Sequence, residues 1–143
     1  METVFKLDPA PTEIDRVVHP LVAHNSALVG RTQFQPFLIS LPDPTTGESA
    51  GDLAGYVDYD WLIIQFVFIP EHLRRRGHGR ALMQRAEAFA RERGLIGIWL
   101  DTFSFQTPAF YEALGYAVFG TIEDHPRGSR RHFMQKRLDG ATS

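Results

Sequence analysis

The chain is 143 residues long, 43% hydrophobic and 12% aromatic, with a formal charge of −2 at pH 7 and no cysteine. That length suits one domain around one core. The charge argues against a general polyanion binder, and the missing cysteines exclude disulfides, thiolate metal sites and cysteine nucleophiles.

The N-terminal "METVFKLDPAP" lacks the basic flank and apolar core of a signal peptide, and no apolar run reaches spanning length, so a cytoplasmic protein that engages no membrane is expected. Thr12 can cap a helix whose apolar positions Ile14, Val17, Val18, Leu21 and Val22 follow the 3.6 period. Pro20 lies inside that pattern and predicts a kink or two consecutive short helices. Phe37–Leu41 and Asp52–Asp60 flank a Pro, Thr and Gly-rich turn and read as antiparallel neighbours. Leu62–Ile69 is apolar at nearly every position except Gln65, which predicts a central strand buried on both faces and ended by Pro70.

A second helix carries Leu82, Ala86, Phe89 and Ala90 on one face, with Gln84, Arg85, Glu87, Arg91 and Glu92 elsewhere and Gly94 as its stop. "LIGIWLDTF" predicts another buried strand. Thr107 and Pro108 start a helix over "PAFYEALG", closed at Gly115. "YAVFGTIED" and "RRHFMQKRL" flank a turn with Pro126 and Gly128 and predict a terminal antiparallel pair. The order β, α, α, β, β, β, α, β, α, β, β indicates one α/β domain over residues 1–143, a mixed sheet with helices on both faces.

Where the second helix begins, "IPEHLRRRGHGR" gathers Arg74, Arg75, Arg76 and Arg80. The partial positive charge of a helix N-terminus disfavours exposed cations there by roughly 0.3–1 kcal/mol each. Either these arginines are merely solvated around a tight turn, or an anion sits among them. Gly77 and Gly79 fit the second reading, because glycine lets a backbone approach a phosphate while the free amides of the first turn point at it. Neither G-x-x-x-x-G-K-[ST] nor a complete G-x-G-x-x-G is present, so neither a P-loop nor a Rossmann site is indicated.

"RRRGHG", Arg74 to Gly79, resembles the [QR]-x-x-G-x-[GA] signature of the GCN5-related N-acetyltransferases (GNAT), and "PAFYEALGY" resembles that family's second common segment. The resemblance covers nearly the whole chain. It implies a mostly antiparallel sheet of six to seven strands, acetyl-CoA as donor and a primary amine of a small molecule or peptide as acceptor. It further implies direct attack in a ternary complex, with no metal. The pantetheine arm would run along the backbone of Val67, Phe68 and Ile69, and the pyrophosphate would lie over the Arg74, Arg75, Arg76, Gly77, His78, Gly79 and Arg80 turn.

In the family a tyrosine at the position of Tyr111 protonates the departing thiolate, which a phenol with a pKa near 10 can do; its other reading is a packed core aromatic. A backbone amide of Val67 or Phe68 would polarise the thioester. Asp58, Asp60, Asp101 and His72 are open choices for the base, as is a chain of waters. Many members place Asn where this chain has Ser104, and Gln106 is the residue positioned to substitute for it.

The acceptor region is the least diagnostic. Asp58, Tyr59, Asp60 and Trp61 suit a cationic amine, whereas Arg127, Arg130 and Arg131 suit an anionic group. The resemblance also allows a homodimer, with the C-terminal strand pairing to a second chain. Two competing readings are a non-catalytic acyl-CoA binding or sensing module and a nucleic-acid binder. The second is disfavoured by the net charge and the lack of an extended basic stripe.

Overall fold

In the computed structural model, which describes residues 1–30 and 34–140, the chain divides into two units, Met1–Thr32 and Gln33–Ser143. The first holds helix α1, Pro11–Val29. Its start is fixed by the Glu13 carboxylate, which accepts the Ala10 N–H at 2.9 Å and a Lys6 ammonium N–H at 2.8 Å, rather than by the expected Thr12 cap. Pro20 neither splits the helix nor ends it. It removes one N–H donor, and the turns on either side carry the helix through. No strand precedes α1 among the described residues, so the leading strand expected from the sequence does not form. Asp8 there adopts a positive φ of 52°, which is incompatible with extended pairing.

The second unit contains β1 (Gln35–Pro42), β2 (Ser49–Asp58), β3 (Trp61–Phe68), a single 3-10 turn (Glu71–Leu73), α2 (His78–Glu92), β4 (Gly97–Phe103), α3 (Pro108–Ala113), β5 (Ala117–Glu123) and β6 (Arg130–Arg137). The strands form one six-stranded sheet in the order β1-β2-β3-β4-β6-β5. Only β3 and β4 are parallel, as they must be when α2 crosses between them; every other pair is antiparallel. The core joins Leu53, Val57, Leu62, Ile64, Ile98, Leu100 and Met134 of the sheet to Leu82, Met83, Ala86 and Ala90 of α2, with Phe110, Tyr111 and Leu114 packed at its margin.

β3 departs from the expected double burial. Leu62, Ile63 and Ile64 are buried, but Phe66 and Phe68 are 69% and 62% exposed. The cause is pairing. The β3–β4 ladder ends at Ile64↔Leu100, and the β2–β3 register shifts between Ala54 and Gly55, leaving Gln65 as an extra residue in β3. Gly55 is required at this bulge because a Cβ there would overlap the Ile63 carbonyl. Beyond Ile64, β3 therefore keeps β2 on one side and no strand on the other.

β6 is paired along both edges, to β4 and to β5. The expected pairing of the C-terminal strand with a second chain is thus precluded, because its backbone groups are already used; the sheet edges are β1 and β5. Among the described residues no helix is long and apolar enough to cross a membrane.

Candidate active site

Where β3 loses its neighbour, a groove of about 840 Å³ opens between the end of β3, the arginine turn and the start of α3. Its lining includes Val67 and Phe68 from β3 and Ile69 just past it; Arg74, Arg75, Gly77, His78, Gly79 and Arg80 from the turn; and Gln106 and Tyr111 from the α3 side.

The turn is shaped by backbone conformation. Arg75 and Gly77 take positive φ values of 64° and 84°, and nothing lies within 4 Å of where a Gly77 Cβ would point. The chain thereby reverses into α2, whose first turn contains no acidic residue. The first helical bond in that turn runs from the Ala81 N–H to the Gly77 carbonyl, so the amides of His78, Gly79 and Arg80 precede the ladder and are the donors that a helix start leaves for a ligand.

Arg74, although exposed, bends back toward the end of β3. Its Nε–H donates to the Ile69 carbonyl at 2.9 Å, and its guanidinium lies 5.8 Å from the Phe68 ring centroid. Gly79 meets α3 closely, since an added Cβ would lie 3.1 Å from Phe110 Cζ. The phosphate-type turn and the Tyr111 helix are thus in contact through glycine and a phenyl ring.

Tyr111 is half-buried on α3, with its ring edge-on to Phe110 (5.0 Å between centroids) and to Tyr116 (6.2 Å). Burial first, and the charge of Asp101 second, push its pKa up. It holds its proton through neutral pH and beyond. Asp101 is itself clamped by Arg131, whose Nε–H donates to Oδ2 at 2.7 Å, while the Arg131 guanidinium lies over the Phe103 and Phe133 rings at 5.6 and 5.3 Å.

The loop before α3 separates the two polar candidates. Gln106 Oε1 accepts from Thr102 Oγ1–H at 3.1 Å and from the Phe103 N–H at 2.9 Å. Both bonds use the oxygen, so the amide N–H groups remain as donors beside the groove. Ser104 is committed elsewhere, with its hydroxyl accepting the Arg130 N–H at 2.9 Å and its own N–H donating to the Arg130 carbonyl. Ser104 and Arg76 are the two residues of the expected donor set that do not line the groove.

Of the base candidates, Asp101 acts electrically on Tyr111. Asp58 lies in a separate recess of about 540 Å³ with Tyr56, Trp61, Trp99 and Phe133, where burial raises its pKa. Asp60 belongs to the β2–β3 turn, and His72 to the exposed 3-10 turn. Sequence reasoning missed Leu73, Phe105, Thr107 and Phe110 as groove residues; the last three sit in the "FQTPAF" segment, whose layout alone was available as a signal.

An acetyltransferase (GNAT) family model matches residues 11–116 of this chain. The chain belongs to the GNAT acetyltransferase family. It is 41% identical to the blasticidin-S acetyltransferase of Streptomyces morookaense over 93 residues, covering 64% of this chain and 68% of that one. It is 30% identical to an acetyltransferase of Agrobacterium fabrum over 132 residues, covering 92% and 96% respectively. A crystal structure of an acetyltransferase from Agrobacterium tumefaciens superposes with a TM-score of 0.88 at 28% identity, over 96% of this chain and all of that one. The GNAT fold expected from the motifs is therefore the fold of this chain, and the chain is an acetyltransferase.

Proposed function

We propose that this chain, acting as a single N-acetyltransferase domain, transfers the acetyl group of acetyl-CoA to a primary amine of a small molecule or peptide by direct attack in a ternary complex. The observation that carries the reading is the groove itself, which joins the unpaired end of β3, the free amides of the arginine turn and Tyr111 along one surface. The backbone groups of the Val67, Phe68 and Ile69 stretch that face away from β2 bond the pantetheine arm as a strand would. The amides of His78, Gly79 and Arg80 with the nearby guanidinium groups hold the pyrophosphate, and Gln106 donates to the arm from its amide nitrogen. An amide N–H of Val67 or Phe68 polarises the carbonyl, and the Tyr111 hydroxyl gives its proton to the thiolate as the C–S bond breaks. The attacking amine loses its proton to water.

The acceptor reading favours a cation. Asp58 lines a recess with Tyr56, Tyr59, Trp61 and Trp99, an acidic group among aromatic rings. The relative that acetylates blasticidin-S places amine-bearing antibiotics first in a panel of acceptors.

The test is thiol release from acetyl-CoA by the purified chain with blasticidin-S, spermidine, lysine and a lysyl peptide, varying donor and acceptor together. Amine-dependent release with intersecting initial-rate lines is expected. Parallel lines would overturn direct transfer, and release that none of these amines stimulates would overturn the amine.

A further inference from the structure

Behind Tyr111 lies a buried polar junction that the reaction as described does not use. Glu87 of α2 is only 8% exposed and Tyr116, just before β5, only 3%. The Tyr116 hydroxyl donates to Glu87 Oε1 at 3.1 Å. The Lys136 ammonium, from β6, donates to both Glu87 oxygens at 3.1 and 3.2 Å and to the Leu114 carbonyl at 2.8 Å. Arg91 approaches Glu87 from its own helix at 3.7 Å. Groups from α2, from β6 and from the residue preceding β5 thus meet on one carboxylate.

A buried ion pair contributes little net stability against an apolar replacement of the same shape, so stability is a weak reason for this junction to exist. What it does geometrically is specific. Helix α3 has 6 residues, too few to hold its own orientation. Its C-terminal turn is fastened from outside, because Lys136 takes the Leu114 carbonyl while the Tyr116 and Leu114 N–H groups both donate to the Tyr111 carbonyl at 3.0 Å. The Tyr116 ring, held by its hydroxyl bond to Glu87, stands edge-on to the Tyr111 ring. Backbone and ring of Tyr111 are both referred to the same junction.

We propose that Tyr116, Lys136 and Glu87 are positioning residues for Tyr111, setting the direction in which its hydroxyl faces the groove. The inference rests on the acid role given to Tyr111 above. Tyr116→Phe keeps the ring and removes only the bond to Glu87; Lys136→Met removes both ties of the ammonium. Each should lower kcat about tenfold with the KM for acetyl-CoA changed less than twofold, and Lys136→Arg should restore most of the loss. In a Tyr111→Phe background, the same substitutions should cost nothing further in kcat. Additive losses, or a rise in KM alone, would overturn the inference.

A second readout requires no turnover. With 3-fluorotyrosine incorporated and the signals assigned by Tyr→Phe substitution, Lys136→Met should shift and broaden the Tyr111 resonance while leaving those of Tyr56 and Tyr59 in place. An unmoved Tyr111 signal sinks the tie even in a chain that acetylates none of the amines offered. A moved signal in such an inactive chain supports the tie and puts the fault with the functional reading.

Discussion

Tyr111 combines two properties that a proton donor to a thiolate needs: contact with the groove and a proton held firmly until the leaving group demands it. Burial contributes most to the second and Asp101 adds to it, since a tyrosinate beside a carboxylate is opposed by like charge. The sign leads to an experiment. With the acid's pKa raised, the alkaline limb of kcat should lie above the ordinary tyrosine value near 10. Asp101→Asn removes a negative charge, leaves Arg131 positive and unpaired nearby, and so should move that limb downward. A limb that stayed fixed or rose in the pH–rate profile would sever Asp101 from Tyr111. Tyr116 is shifted upward as well, first by burial and then by Glu87, so it remains a neutral donor to Glu87 through neutral pH.

Among the elements, the turn into α2 is where conformation is most tightly tied to the proposed role. Gly77 lies at φ +84° with open space around it, so Gly77→Ala meets no clash, only backbone strain of roughly 1–2 kcal/mol. The expected outcome is a several-fold rise in the KM for acetyl-CoA, with circular dichroism unchanged. An unchanged KM would mean that the turn's conformation does not matter to donor binding.

The strands of the sheet were legible to within a few residues because β-branched and aromatic runs ended in Pro, Gly and Asp, whereas the strand expected before α1 has no counterpart among the described residues. The burial of β3 was not legible, since "LIIQFVFI" reads the same whether or not a neighbour flanks its second half. Glu87 was missed differently. It falls four residues after Met83 and three before Ala90, on the buried stripe of α2, but charge was allowed to outweigh spacing, and its partners Tyr116 and Lys136 lie too far along the chain to be seen from the helix.

At the scale of the molecule, the core and the groove share one strand. Leu62 and Ile64 anchor β3 in the cluster with Leu82 and Leu100, while the same strand's far end lines the groove. Leu62→Ala should cost about 2–5 kcal/mol and lower the melting temperature on the order of 10 °C, measured by calorimetry. A shift of a degree or two would show that the cluster collapses around the loss. Family membership was legible because a donor common to many acetyltransferases is held largely by backbone, which leaves glycines and a helix start in the sequence. The acceptor was not, because the recess around Asp58 draws its side chains from β2, β3, β4, β5 and β6 with no fixed spacing between them.

The half of β3 that lies past Ile64 is also an edge strand in the middle of a sheet. Edge strands invite pairing with foreign chains, and proteins usually guard them with charge, proline or a covering element. Here the covering is tertiary, because the open edge lines a groove shared with the arginine turn and the start of α3. The parting of the two strands thus exposes backbone hydrogen-bonding groups inside a recess rather than along the rim of the sheet.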